Sequence, residues 1–209
     1  LGQPVATMQT SRGCPYPCVY YCPYPLVQRK EWRARSPQNV VAEMDEIISK
    51  HGIQKIFLRD ATFTHDRKRA LEICRLLVTE KIGVEWWCET RVDHLDRDLL
   101  EQMKAAGCLG INVGVETGDE VLLKTRAKTG LTLEKLRQLA AQAKEFKIKL
   151  HFLLMVGLLE ETKESLLNTY RLISELRPAS IGISCATPYP GTPLYSEAKA
   201  GGLILTEDY

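Results

Sequence analysis

Six short runs rich in apolar and β-branched residues alternate along this chain with amphipathic segments, and that alternation limits what it can fold into. The runs lie at 5–10, 53–59, 84–90, 110–116, 149–157 and 180–186. Between them, apolar side chains recur at helical spacing. One stripe is Val40, Val41, Met44, Ile47 and Ile48, and a second is Leu71, Cys74, Leu77 and Val78. Leu133, Leu136, Leu139, Ala140 and Ala143 form a third, and Leu166, Tyr170, Ile173 and Leu176 a fourth. Ser36 before Pro37 and Thr132 before Leu133 are helix-start signals, while Gly52, Gly83 and Gly107 stand where left-handed helix ends are wanted. Strands that alternate with helices need crossover connections, hence a parallel sheet in one domain.

Strand parity separates an open, doubly covered sheet from a barrel. In 110–116, Ile111, Val113 and Val115 share one face, and Gly110, Asn112, Gly114 and Glu116 the other. The last run repeats this, with Ile181 and Ile183 opposite Ser180, Gly182, Ser184 and Ala186. A sheet covered on both faces would be apolar throughout. One apolar and one small, polar face predicts helices outside and a ligand-admitting lumen inside: an α/β, partial (β/α)6 TIM-like barrel. Trp86 and Trp87 must then point to opposite faces. His151 is expected as a satisfied core histidine, and the run Lys124, Arg126, Lys128 as a solvated face.

Composition narrows the function classes. Lys plus Arg number 28 and Asp plus Glu 26, a net charge of +2 with no charged tract, so nothing points to nucleic acid as partner. The longest apolar stretch, 150–159, is about half of the roughly 20 residues a membrane span needs, and there is no signal-peptide pattern. Seven cysteines are too few for a disulfide scaffold at this length and odd in number, which suggests a reducing compartment; cytoplasm is the expectation. Cys74, Cys88, Cys108 and Cys185 are scattered and expected as buried hydrophobes. Cys14, Cys18 and Cys22 crowd into nine residues directly after the first strand, at the end of a parallel sheet where active sites gather.

The prolines at 15, 17, 23 and 25 keep this loop from forming a helix through its cysteines. Three thiolates with no histidine at zinc-finger spacing suit an iron–sulfur cluster better than structural zinc, which takes four protein ligands. The loop, Thr10-Ser-Arg-Gly-Cys14-Pro-Tyr-Pro-Cys18-Val-Tyr20-Tyr21-Cys22, resembles the radical S-adenosylmethionine (SAM) superfamily. That family's usual signature is Cys-x3-Cys-x2-Cys, whereas the spacing here is Cys-x3-Cys-x3-Cys. Either the loop bulges to absorb the extra residue or cluster assembly is impaired.

The resemblance extends along nearly the whole chain. Phe57-Leu-Arg-Asp60-Ala-Thr-Phe63-Thr64 is similar to the family's second-strand segment, Glu89-Thr-Arg91-Val-Asp93 to the third, and Gly114-Val-Glu116-Thr-Gly118 to the fourth. Met155-Val-Gly157-Leu-Leu-Glu160-Glu-Thr162 resembles the fifth-strand turn Gly-Leu-Pro-Gly-Glu-Thr, with Leu159 and Glu160 in place of Pro and Gly. Pro188-Tyr-Pro-Gly191-Thr192-Pro193-Leu194-Tyr195 resembles the segment after the sixth strand. Within the family, the likeness is to the branch with an N-terminal cobalamin-binding domain; here residues 1–209 are expected to be the core of a longer chain, with that domain preceding Leu1.

The resemblance implies that Cys14, Cys18 and Cys22 hold a [4Fe–4S] cluster. It also implies that Tyr20, Tyr21, Asp60, Arg91, Glu116, Gly157 and Pro188 surround SAM; no catalytic residue is assigned. The implied activity is reductive cleavage of SAM to a 5′-deoxyadenosyl radical, or cobalamin-supported methyl transfer, on a small-molecule substrate. The electron would come from a donor such as flavodoxin or ferredoxin. The alternative is a non-catalytic iron–sulfur or zinc-binding barrel module.

Overall fold

The computed structural model describes residues 4–206 apart from Pro17, Val19, Lys128 and Thr129. Strand β1 (Val5–Met8) leads into a small antiparallel ladder, β2 (Ser11–Arg12) with β3 (Arg33–Ala34). This ladder brackets the cysteine loop and helix α1 (Tyr24–Gln28). The chain then alternates through α2 (Pro37–His51), β4 (Lys55–Leu58), α3 (Arg67–Thr79), β5 (Glu85–Thr90), α4 (Arg97–Ala105) and β6 (Cys108–Glu116). A short α5 (Glu120–Leu122) precedes α6 (Leu133–Glu145), β7 (Lys149–Val156), α7 (Lys163–Leu176), β8 (Ser180–Cys185) and α8 (Pro193–Ala200). The order β1-β4-β5-β6-β7-β8, parallel at every step, makes a curled half-barrel in which all six expected strands appear.

The expected start signals operate: Ser36 Oγ accepts from the Asn39 N–H and Thr132 Oγ1 from that of Lys135. Gly52 and Gly107 take positive φ, but α3 is followed by Lys81 at φ 55° instead of by Gly83 in that role. Helix α8 was not anticipated, although Thr192-Pro193 carries the same start signature as Ser36-Pro37.

Ile111, Val113 and Val115 are fully buried against the helical layer, as parity requires. Trp86 joins them, packed on Phe63 with its Nε1–H on the Ala106 carbonyl. Trp87 turns the other way, into the lumen, and donates to Asn112. Gly110 makes room for it: a Cβ there would lie 2.3 Å from the Trp87 ring.

Three expectations fail. On β8, Ile181 and Ile183 are 42% and 60% exposed, because among the described residues no helix covers that face of the last strand. Cys185 is exposed on the same strand, while Cys74, Cys88 and Cys108 are buried as anticipated. His151 lies in the lumen, its Nδ1 2.6 Å from Ser180 Oγ, because its parity matches Asn112 and not the core-facing Phe152. In the charged run, Lys124 is exposed as expected, Arg126 pairs with the surface carboxylates Glu160 and Glu197, and Lys128 lies outside the described residues.

Candidate active site

The cysteine loop leaves β1 through Thr10 and Ser11, and both are held by Asp60, which follows β4. Asp60 is fully buried; its Oδ1 accepts the N–H groups of Thr10 (2.6 Å) and Ser11 (3.1 Å). Its Oδ2 accepts both hydroxyls, that of Ser11 at 2.9 Å. Buried Arg69 closes the joint from α3, donating to the carbonyls of Thr10 (2.9 Å) and Arg35 (2.8 Å). Burial lowers the pKa of Arg69, and the Asp60 charge works against that. Gly13 then turns the chain at φ 86°, where a Cβ would stand 1.9 Å from the Glu31 carbonyl oxygen. Gly13→Ala is therefore expected to cost about 3 kcal/mol, from left-handed strain plus a clash with backbone that cannot rotate away. Urea unfolding measures it, and an unchanged midpoint would mean that the loop re-routes freely.

Beyond Gly13, Cys14, Cys18 and Cys22 all line one cavity of about 330 Å³ at the C-terminal ends of the strands. The Cys22 N–H donates to the Cys18 carbonyl at 3.2 Å, a hydrogen bond that closes the longer spacing between the two cysteines. Among the described residues no three His, Cys, Asp or Glu side chains gather tightly enough for one metal ion. Three cysteines on one cavity match the donor number of a cluster in which each thiolate takes its own iron, whereas structural zinc takes four protein ligands.

Opposite the cysteines stands Glu116, at the end of β6. It is buried and lines the cavity, and its backbone is strained, with φ 66° inside a three-residue turn closed by the Thr117 N–H on the Val115 carbonyl. The β6–β7 register shifts beside it. Tyr21 reaches across to hydrogen-bond the Glu116 carboxylate, and burial followed by that negative charge pushes its phenol well above the ordinary tyrosine range. Lower on the same wall, Glu89 pairs with Arg59 at 2.8 Å. Burial raises the Glu89 pKa while Arg59 lowers it.

The anticipated residues thus separate into two sets. Tyr21, Arg91 and Glu116 line the cavity with the three cysteines; Tyr20, Asp60, Gly157 and Pro188 do not. Asp60 is engaged by Thr10 and Ser11, where the loop begins. Tyr20 faces outward beneath the Arg126 guanidinium, with its hydroxyl on Glu197 and its carbonyl accepting the Leu194 N–H, so it fastens α8 to the loop. The Gly157 N–H is bound by Glu161 at the exposed β7 turn, where Glu160 adopts φ 70° in place of the family's glycine. Pattern reading missed Thr10, Ser11, Arg69, Tyr16, His65 and His94. Thr10, Ser11 and Tyr16 stand in the cysteine loop that carries the family resemblance, while Arg69, His65 and His94 have no sequence signal of their own.

A parallel half-barrel with three cysteines and a strained carboxylate converging on one cavity at its strand ends has the layout of an α/β enzyme core. The comparisons with known proteins agree. The model of the Radical SAM superfamily matches residues 8–173, and the chain belongs to that superfamily. It is 31% identical over its whole length to an uncharacterized methyltransferase of Pyrococcus horikoshii, covering 45% of that protein. It is also 31% identical, over 95% of its length, to 33% of the anaerobic magnesium-protoporphyrin IX monomethyl ester cyclase of Cereibacter sphaeroides. The chain therefore spans less than half of these relatives. Among solved structures, the radical SAM methyltransferase TsrM of Kitasatospora setae, with cobalamin and a [4Fe–4S] cluster bound, superimposes with a TM-score of 0.86. Identity there is 23%, over 94% of this chain and 37% of that one, a likeness of fold. Radical SAM proteins use a [4Fe–4S] cluster and SAM, and the donor set here fits that group.

Proposed function

We propose that this chain is the catalytic core of a cobalamin-dependent radical SAM enzyme acting on a small molecule, with Cys14, Cys18 and Cys22 as cluster ligands. The observation that carries the reading is the single cavity shared by the three cysteines with Tyr21 and Glu116. When bound, a reduced [4Fe–4S] cluster supplies the electron that cleaves a carbon–sulfur bond of SAM. The chain's own residues do the rest. Glu116 and Glu89 present carboxylates toward a ligand that carries a sulfonium and an ammonium group. Tyr21 fixes Glu116, and the half-barrel wall keeps water from the reacting atoms. Asp60 acts one step back by fixing where the cysteine loop begins; Gly157 and Pro188 do not line the cavity.

The names of the relatives favour methyl transfer or ring closure, with cobalamin supplied by a domain N-terminal to this core. Flavodoxin or ferredoxin fits as the electron donor. A cytoplasmic setting agrees with a cysteine count that is odd and too small for a disulfide scaffold. No helix of the described residues is long and apolar enough to cross a membrane. Electron paramagnetic resonance of the anaerobically reconstituted, dithionite-reduced protein tests the core claim. A [4Fe–4S]⁺ signal that shifts when SAM is added is expected. A signal indifferent to SAM would reduce the protein to a cluster-binding module, and no cluster at all would overturn the reading.

A further inference from the structure

Arg91 lines the cavity, yet its guanidinium is spoken for from the other side. Its Nε and Nη2 grip the two carboxylate oxygens of Asp93, each at 2.8 Å, a bidentate fork that fixes the plane of the group. Its face lies 4.5 Å above the Tyr16 ring. So held, Nη1 donates to Cys18 Sγ at 3.4 Å, and the side chain is only 7% exposed.

Tyr16 is fixed in turn. Its hydroxyl lies 2.7 Å from His65 Nδ1 and 2.8 Å from His94 Nε2. A phenol has one proton, so it donates to one ring and accepts an N–H from the other. His65 follows β4, and His94 belongs to the 3₁₀ turn Val92–His94 after β5, so the bridge ties the loop segment between Cys14 and Cys18 to two strand ends. Trp32 packs edge-on against His65 at 4.7 Å and braces the bridge.

We propose that Arg91 is a positioning residue for the cluster, not a SAM contact. Clamped by Asp93 and by the His65–Tyr16–His94 bridge, it holds a charged N–H on Cys18 and so raises the reduction potential of the cluster. This rests on the cysteine loop binding a [4Fe–4S] cluster, as proposed above. The physical reason is general: a hydrogen bond and a positive charge at a ligand sulfur stabilise the reduced, more negative cluster, and burial keeps water from screening them.

The test is an anaerobic redox titration of the reconstituted protein, read by the [4Fe–4S]⁺ resonance, for the parent, Arg91→Gln, Arg91→Lys and Tyr16→Phe, with iron content measured alongside. Arg91→Gln is expected to disfavour reduction about tenfold, or about 59 mV for one electron. Arg91→Lys, which keeps the charge but loses the fork, should recover part of that. Tyr16→Phe removes only the hydroxyl that the two imidazoles hold, and should move the potential the same way by less. If Arg91→Gln loses its iron, Tyr16→Phe decides. A Tyr16→Phe cluster at the parental potential would overturn the proposal, as would unchanged potentials in the iron-retaining variants. A parent that binds no cluster would instead overturn the reading on which it rests.

Discussion

Asp60→Ala is expected to destabilise the protein by about 5 kcal/mol, comparable with the whole folding free energy of many single domains. The substitution leaves two backbone N–H groups and two hydroxyls, from Thr10 and Ser11, without the carboxylate that accepts them all in a fully buried place. Each orphaned donor costs about 1–3 kcal/mol, and water cannot enter to repair the loss without opening the joint. The buried Arg69 also loses the opposing charge that acts on it most strongly; its Nη1 already has no partner among the described residues. Asp60→Asn should cost much less, about 2 kcal/mol: its carbonyl oxygen still accepts the two N–H groups, and the two hydroxyls can rotate to accept from the amide. Urea unfolding of both variants measures the ranking. If Asp60→Ala falls within about 1 kcal/mol of the parent, the joint is not what anchors the loop.

That role for Asp60 marks the boundary of what was legible beforehand. The half-barrel was readable because each element writes its own period: Ile111, Val113 and Val115 face the helices whatever else happens, and Ser36 caps α2 with groups three residues away. Likeness to the family put Asp60 at the correct strand end but facing the ligand. What turns it inward is a set of four donors fifty residues earlier, and no local pattern records which partner a loop will bring. The same holds for Tyr20, drawn outward by Leu194 and Glu197 from α8, and for the pairing of Arg91 with Cys18. On β8, the alternation was read correctly as a two-faced strand. It failed as a burial prediction because alternation says which residues share a face, and only the neighbouring elements decide whether that face is covered.

The added residue in the cysteine loop can be judged by taking it out. Deleting Tyr21 restores the family's Cys-x3-Cys-x2-Cys spacing, and on spacing alone it should improve cluster binding. The geometry predicts the reverse. The turn between Cys18 and Cys22 is closed by a hydrogen bond spanning four residues, which the shorter loop cannot form. Tyr20 cannot replace Tyr21 at Glu116 without releasing α8, which it holds through Leu194 and Glu197. The deletion is therefore expected to drop iron content from about four per chain to less than one after identical reconstitution. Tyr21→Phe keeps the loop length and should retain the cluster, while freeing the Glu116 carboxylate and weakening the response of the reduced signal to SAM. Iron analysis and the 400 nm absorbance read the first effect; SAM titration of the resonance reads the second. Should the deletion bind its cluster as well as the parent does, the extra residue is slack in the loop. A deletion that loses iron beside a Tyr21→Phe protein that keeps it would show that the longer spacing is built into how the three cysteines are presented.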